Sequence, residues 1–107
     1  MKEILRGITA QKGKTVGIAR VVSENNLSGK FENGDVLVAE FTSPVFVPLI
    51  KKASAIITDS GGILCHAAII AREIGIPCIV GTRTATKQIK DGQKIVVDAN
   101  RGLVYEI

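Results

Sequence analysis

The sequence predicts an α/β fold built as a single compact domain, and three observations support this. The chain has 107 residues, of which 46% are hydrophobic, which is enough for one modest core but not for two independent ones. Short runs of branched apolar residues, each of strand length, alternate with glycine-containing turns. Residues 53–80 follow the order strand, glycine loop, helix, strand. Strands should therefore predominate, with two or three helices between them.

Two strands and several short extended pieces are predicted in the first forty residues. Glycines mark turns or close backbone approaches around short extended pieces, at Gly7, Gly13 and Gly17. A strand is predicted over 16–22. The pair Asn33-Gly34 is a turn signal, and the apolar, branched run that follows it predicts a second strand over 35–40.

Two helices are predicted in the middle of the chain. The first begins at Thr42-Ser43-Pro44, because a small hydroxyl residue can cap a helix and proline suits its first turn, and it should run to about residue 52. The second covers 67–74, after a buried strand at 53–58 and the glycine pair Gly61-Gly62.

The last third of the chain is predicted to return to strands. Gly75-Ile76-Pro77 ends the second helix, because glycine supplies a left-handed cap and proline prevents continuation, so a strand starts at 78–80. Two later turns each lead into a strand of a closing hairpin: Asp91-Gly92 before 94–98, and Asn100-Arg101-Gly102 before 103–107.

Composition argues against several classes of protein. Lys and Arg outnumber Asp and Glu by 14 to 10, but the positive charges are scattered, as on an ordinary solvated surface. With no Trp, one Tyr and three Phe, the chain lacks the stacking aromatics of a nucleic-acid-binding domain. No apolar run is long enough for a membrane span or a secretory signal. We therefore expect a cytoplasmic protein with no nucleic-acid or membrane partner.

The most informative segment, residues 58–73, contains the only histidine of the chain, His66. The pair Gly61-Gly62 leaves backbone amides bare, and the first turn of the following helix has donors without intrahelical partners, so this place can bind an anion. The helix dipole also opposes protonation of a nearby imidazole, which keeps it in the nucleophilic, neutral form. His66 is thus a candidate phosphoryl acceptor. A capping or buried histidine, satisfied by a hydrogen bond, is the structural alternative.

Neighbouring residues support other chemistry less well. A zinc site from Cys65, His66 and Cys78 would need further ligands, and adjacent residues seldom converge on one tetrahedral ion, so no metal is expected. A Cys-His hydrolase lacks an orienting partner. Both cysteines are expected to be reduced thiols. Arg72, about 120° around the helix from His66, could contact phosphate or form a surface ion pair, and Thr58 could fix the loop.

The motif that joins these residues resembles a known family. It comprises Gly61-Gly62-x-x-Cys65-His66-Ala67-Ala68-Ile69-Ile70-Ala71-Arg72-Glu73-x-Gly75-Ile76-Pro77 and continues to Val80-Gly81. It resembles the swivelling phosphohistidine domain, or mobile domain, of phosphoenolpyruvate-utilising enzymes, and most of all that of phosphoenolpyruvate synthases. The similarity extends over nearly the whole chain, 1–107, including the glycine pattern at its start and the final hairpin.

The resemblance implies a swivelling β/β/α domain in which His66 is phosphorylated. Gly61, Gly62 and Cys65 would lie on the phosphate side, with Thr58 and Arg72 in support. The domain itself would bind no cofactor. Mg²⁺ and ATP or phosphoenolpyruvate would be held by partners, namely an ATP-grasp protein and a phosphoenolpyruvate- or pyruvate-binding protein acting in trans.

Three hypotheses for function follow. The first is a stand-alone phosphoryl carrier, a component of a phosphotransferase that needs partner subunits. The second is a non-catalytic docking or regulatory module that has kept the fold and the histidine. The third, a swivelling subunit of a dehydratase-like enzyme, would not require the Gly-Gly and Cys-His signature.

Two positions depart from the synthase pattern. Ile63 and Leu64 stand where synthases usually have Arg and Thr. Because that Thr is the regulatory phosphorylation position in synthases and dikinases, we expect such control to be absent. A leucine there is similar to the rifampicin-phosphotransferase-like branch, which leaves the final acceptor open, and the missing Arg removes a possible phosphate contact.

Overall fold

The chain forms a mixed sheet with short helices on its faces, in a computed structural model that describes residues 1–27 and 29–107. Its strands, in chain order, are β1 (Lys2–Arg6), β2 (Ile8–Gln11), β3 (Lys14–Val22), β4 (Val36–Ala39), β5 (Ala55–Thr58), β6 (Cys78–Val80), β7 (Lys94–Asp98) and β8 (Leu103–Glu106). The helical segments are a 3₁₀ turn (Pro44–Phe46) continuing into α1 (Val47–Ile50), then α2 (His66–Ile74) and α3 (Ala85–Gln88).

The strands lie in the order β1-β8-β7-β3-β4-β5-β6-β2. β3, β4, β5 and β6 pair in parallel, and the remaining strands pair antiparallel with their neighbours. β4 and β5 are buried along their whole length, as expected for central parallel strands covered on both faces. Because these strands run in the same direction, the loops that follow them emerge side by side at one edge of the sheet.

Gly7 joins the two ends of the sheet. It separates β1 from β2, which are consecutive in the chain but lie at opposite ends of the strand order. Its N–H donates to the Gly102 carbonyl at 2.9 Å. A Cβ at this position would lie 2.7 Å from the Val80 carbonyl oxygen. Only glycine therefore allows the two ends to approach so closely.

The core consists of two apolar clusters, one on each face of the sheet. β4 contributes to both in alternation, since Val36 and Val38 belong to one cluster and Leu37 to the other. α3 and the residue after it cover the first cluster through Ala85 and Ile89. α2 covers the second cluster through small alanine side chains, which let the helix lie close to the sheet. This packing holds α2 against β5, β6 and β2.

The predicted fold class is confirmed, and most of the predicted order of elements agrees with the structure. The second helix begins at His66, one residue before the predicted start. The closing hairpin is present as β7 paired with β8. β3 begins two residues earlier than predicted, at Lys14, and β5 begins two residues later, at Ala55.

The first predicted helix begins as expected, with Ser43 at the N-cap position and Pro44 in the first turn, but its first turn is 3₁₀ and it ends at Ile50. The predicted side-chain cap was wrong, because the Ser43 hydroxyl makes no capping hydrogen bond. This hydroxyl donates to Glu24 Oε1 at 2.9 Å instead. The predictions also missed β1 and α3. Within the described ranges, no helix is both long enough and apolar enough to cross a bilayer.

Candidate functional site

His66 is the first residue of α2, at the end of the loop that follows β5. This loop and the segment after β4 enclose a small pocket of about 50 Å³. The pocket is lined by residues from both segments and from the helix start: Phe41, Thr42, Thr58, Ser60, Gly61, Cys65, His66 and Ala67. His66 is only partly buried, so its ring is held by the fold while part of it stays open to a reactant.

Thr42 holds the imidazole of His66. Its Oγ1 lies 2.8 Å from His66 Nδ1, within hydrogen-bond distance. Thr42 is buried, so this contact is fixed rather than transient. Nε2 has no hydrogen bond to any described residue. The two ring nitrogens therefore have different surroundings, and Nε2 is the one left for chemistry.

Sequence reasoning missed Thr42 as a site residue, because it was assigned only to a helix start. A signal was available in the topology. β4 and β5 are adjacent and parallel, so the segment after β4 must lie beside the loop that leads to His66. A polar residue directly after such a strand is a candidate for the site.

Glycine occupies the two positions of the loop for different structural reasons. Gly61 has φ +102°, in the left-handed region, and a Cβ there would lie 2.8 Å from Cys65 Sγ. Glycine is thus required at this position by both backbone and space. A Cβ on Gly62 would meet no atom within 4 Å. Gly62 therefore faces open space, and it does not line the His66 pocket.

The start of α2 is not neutralised by side chains. Cys65 is the N-cap residue, its side chain makes no capping hydrogen bond, and the first turn contains no acidic residue. The Cys65 N–H itself donates to the Gly62 carbonyl at 3.1 Å, which closes the loop into a turn. The partial positive charge of the helix start is therefore available to an anion bound beside His66.

Thr58 stabilises this loop from the end of β5. Its Oγ1 donates to the Ser60 carbonyl at 2.7 Å. Its carbonyl accepts from Thr82 twice, from Oγ1 at 2.9 Å and from the backbone N–H at 3.1 Å. The loop after β5 is thereby tied to the loop after β6.

Arg72 contacts the loop from the other side, and its hydrogen bonds go to backbone carbonyls. Its guanidinium donates to the Ile63 carbonyl at 2.7 Å and to the Ala10 carbonyl at 3.5 Å. It does not line the His66 pocket, and among the described residues it forms no ion pair. The geometry makes it a link between α2, the glycine loop and β2.

The two cysteines are both free thiols, with different surroundings. Cys65 borders the pocket, whereas Cys78 is fully buried under α2. Burial raises the pKa of the Cys78 thiol to about 12, the charge of nearby Cys65 acts in the same direction, and Arg72 opposes them. Among the residues with described positions, no three His, Cys, Asp or Glu side chains cluster as metal ligands.

Comparison with known protein families agrees with this geometry. The model of the "PEP-utilising enzyme, mobile domain" family matches residues 31–102, which contain β4, β5, α2 and the whole glycine loop. The chain belongs to this family. His66 and its pocket are thus part of a mobile domain, in the segment that the family shares.

Curated relatives of this mobile domain are much longer proteins. The chain is 49% identical over 106 residues to a probable phosphoenolpyruvate synthase of Methanothermobacter thermautotrophicus, covering 98% of this chain and 16% of that protein. It is 50% identical over 103 residues to the phosphoenolpyruvate synthase of Aeropyrum pernix, with coverage of 95% and 13%. An uncharacterised phosphotransferase of Bacillus subtilis is 49% identical over 98 residues, with coverage of 92% and 12%. The chain therefore spans only about one seventh of the length of such relatives.

Solved structures show the same fold. An NMR structure titled as Enzyme I aligns with a TM-score of 0.63 and 34% identity, over 76% of this chain and 33% of that one. The holo-form of Thermococcus kodakaraensis aconitase X aligns with a TM-score of 0.71 over 96% and 97% of the two chains, but at 22% identity. At 22% identity, the second likeness concerns the fold alone.

Ile63 and Leu64, the two departures from the synthase pattern, are exposed. Leu64 is 80% and Ile63 56% exposed, although both are apolar. Neither contributes to the two core clusters, and they directly precede the Cys65-His66 pair. In this mobile domain, two exposed apolar side chains thus stand at the positions that depart from the synthase pattern, and neither lines the His66 pocket.

Proposed function

We propose that His66 accepts a phosphoryl group on Nε2 and passes it to a second site, so that the chain acts as a phosphoryl carrier. The observation that supports this most directly is the contact between Thr42 Oγ1 and His66 Nδ1 at 2.8 Å. It leaves Nε2 without a hydrogen bond to a described residue, in a partly exposed ring beside an uncapped helix start. A histidine kept only for structure has no need of a free ring nitrogen at such a place.

The transfer follows from the ring's two nitrogens. In the reactive tautomer, Nδ1 bears the proton and donates a hydrogen bond to Thr42 Oγ1. The lone pair of Nε2 attacks phosphorus. The Nε2–P bond forms as the donor's O–P bond breaks, and the leaving oxygen keeps the electron pair. The ring then has a positive charge shared with the hydrogen bond at Nδ1. Because a positively charged ring is a good leaving group, the phosphoryl group can be handed on.

The loop supplies the surroundings of the phosphoryl oxygens. Transfer depends mainly on positioning and on stabilising negative charge, which backbone amides at a helix start can do. We assign this role to the Gly61 and Gly62 amides and to those of the first turn of α2. Cys65 lines the pocket beside them, and its own N–H is bonded to the Gly62 carbonyl. Thr58 and Arg72 are supporting residues, because their hydrogen bonds go to the loop's own carbonyls.

The donor and acceptor sites belong to partners of this chain. We propose an ATP-grasp nucleotide-binding protein and a phosphoenolpyruvate- or pyruvate-binding protein, as the long synthase relatives suggest. Mg²⁺, held with the donor on the partner, would neutralise charge on its phosphate oxygens. The free thiols of Cys65 and Cys78 support a reducing compartment, and we place the carrier in the cytoplasm.

Intact-mass measurement tests the carrier role. The chain is incubated with Mg²⁺, with ATP or phosphoenolpyruvate, and with the Methanothermobacter synthase from which its own mobile domain has been deleted. We expect one acid-labile phosphoryl group on the wild type and none on His66→Ala. The donor that works identifies the partner site.

The same experiment decides against the proposal if no adduct forms with either donor, or if the adduct persists in His66→Ala. No adduct with intact binding to the synthase would favour the docking or regulatory module. Phosphoramidate, a small donor that phosphorylates histidine without an enzyme, shows in parallel whether the His66 ring is accessible.

A further inference from the structure

A second loop lies against the glycine loop at the same edge of the sheet. It follows β6, and two of its amides bond to the loop after β5. Arg83 N–H donates to the Asp59 carbonyl at 2.7 Å, and Gly81 N–H donates to the Ser60 carbonyl at 3.4 Å. Residues on this second loop are therefore held in a fixed position beside the His66 pocket.

Arg83 is held in an unfavourable backbone conformation. Within 1–27 and 29–107, it is the one non-glycine residue with a positive φ, at +73°. A Cβ in the left-handed region is strained, and glycine would fit this position with less strain. Arg83 is nevertheless exposed, and its side chain makes no hydrogen bond or ion pair to another described residue. Nothing in the fold itself therefore accounts for an arginine here.

Arg83 lines an open cleft of about 530 Å³ next to the His66 pocket. Lys87, one turn further along α3, lines the same cleft and is also exposed without an ion pair among the described residues. Ser60 lines both this cleft and the His66 pocket, so the two are contiguous. Asp59 also lines this cleft, but its carboxylate accepts hydrogen bonds from Thr86 N–H and Oγ1 and, among the described residues, forms no ion pair with either cation.

We propose that Arg83 and Lys87 form a cationic docking edge for the protein that phosphorylates His66, and that this partner presents carboxylates around its donor site. The inference rests on the carrier role proposed above and adds the chemistry of the docking partner. Complementary charge beside the reacting atom accelerates encounter and fixes orientation. The net charge of +4 on the whole chain acts in the same direction at longer range.

The cleft suits a protein surface better than a small free anion. Glu40 and Asp59 line it together with the two cations, so a mobile dianion would meet repulsion as well as attraction. A protein surface can place acidic groups opposite Arg83 and Lys87 and basic or neutral groups opposite the two carboxylates. The arrangement of positive and negative charges in the cleft would thereby also select against partners whose surface charges do not match it.

The test uses three variants that each remove one positive charge: Arg83→Gly, Lys87→Ala and, as control, Lys12→Ala. Arg83→Gly keeps the left-handed backbone accessible. Lys12 is exposed and follows β2 at the end of the sheet away from Val80 and the site. The readout is the second-order rate constant for loading of His66 by the Methanothermobacter synthase without its own mobile domain, at about 20 mM and about 500 mM salt.

We expect Arg83→Gly and Lys87→Ala to slow loading about threefold each at low salt, and the double variant about tenfold. At high salt the difference from wild type should shrink to less than about twofold, because screening removes steering. The loading rate constant of Lys12→Ala should stay within about twofold of the wild-type value at both salt concentrations. Loading by phosphoramidate, which needs no docking, should be equal in the wild type and all four variants.

Arg83→Gly also separates docking from a structural role. A structural role predicts a lower melting temperature, whereas removal of strain predicts an unchanged or higher one together with slower loading. The docking proposal is overturned if both variants load at the wild-type rate at low salt, or if they are equally slow with phosphoramidate. Failure of the wild type to be loaded by any protein donor would instead contradict the carrier role itself.

Discussion

The Thr42 hydroxyl lies 2.8 Å from His66 Nδ1 and joins the segments that follow two adjacent parallel strands. Because Thr42 is buried and its contact occupies Nδ1, Nε2 is the ring nitrogen that remains for the proposed phosphoryl group. On this proposal, the contact orients the ring and stabilises the charge that forms during transfer.

Thr42→Val should slow loading of His66 about tenfold, equivalent to roughly 1.4 kcal/mol, the worth of one hydrogen bond to a group that becomes charged. Without the Thr42 hydroxyl, Nδ1 is also free to react, so a fraction of the molecules should be phosphorylated on Nδ1. Long-range ¹H–¹⁵N NMR of the imidazole distinguishes the two products. Thr42→Ser, which keeps the hydroxyl, should restore both the rate and exclusive Nε2 phosphorylation. A Thr42→Val protein that is phosphorylated at the wild-type rate and only on Nε2 would contradict the assigned role.

Gly61 and Gly62 should respond very differently to the same change. Gly61→Ala puts a Cβ at φ +102° and 2.8 Å from Cys65 Sγ, so it should cost about 2 kcal/mol or more. That loss corresponds to a fall in Tm of roughly 8–16 °C for a domain of this size. Gly62→Ala points into open space and should change Tm by less than about 3 °C. Thermal unfolding of the two variants measures both values, and equal destabilisation would show that the loop differs from this geometry.

Local signals explain why the strand, glycine loop, helix, strand unit could be predicted from sequence. Gly75 has φ +76°, its N–H bonds to the Ala71 carbonyl at 2.8 Å, and Pro77 follows, as the sequence indicated. In contrast, α3 has only four residues, too few for a helical period to be recognised. β1 could not be inferred because it depends on pairing with β8 at the other end of the chain.

The parts of the site that sequence missed are contacts between segments distant in the chain. The histidine and its loop were identified because they are contiguous. Thr42 lies 24 residues before His66, and its position depends on the parallel pairing of β4 with β5. Arg72 was placed correctly on the helix, but its partners depend on how the loop folds back toward β2, which spacing alone does not encode.

Arg72 should affect the loop more than the overall stability. Replacing it with Gln removes the charged hydrogen bond to the Ile63 carbonyl. We expect the free energy of opening the loop to fall by about 1 kcal/mol. The Cys65 amide, bonded to Gly62, should exchange with solvent about fivefold faster, and loading of His66 should slow by a similar factor. Hydrogen exchange followed by NMR measures the first effect. Glu73→Ala, at the exposed neighbour, is the control, and unchanged exchange in Arg72→Gln would show that Arg72 does not order the loop.

Cys78 should make the stability of the protein depend on alkaline pH. Burial raises the pKa of its thiol from 9.0 to about 12 in the folded state. Between these values the unfolded chain loses the proton while the folded chain keeps it, so the unfolded state is favoured progressively as pH rises. The effect is absent below about pH 8 and should lower the free energy of unfolding by about 1 kcal/mol at pH 10.

Urea unfolding of the wild type and of Cys78→Ala, at about pH 8 and about pH 10, isolates this effect from the titration of other groups. Cys78→Ala should be less stable at the lower pH, because it leaves a cavity under α2, but it should lose less stability on going to the higher pH. A thiol reagent at pH 8 should label Cys65 and leave Cys78 unmodified until the chain unfolds. Equal losses in both proteins, or rapid labelling of Cys78 in the folded state, would mean that the thiol is accessible to water and that α2 packs less closely on the sheet than described.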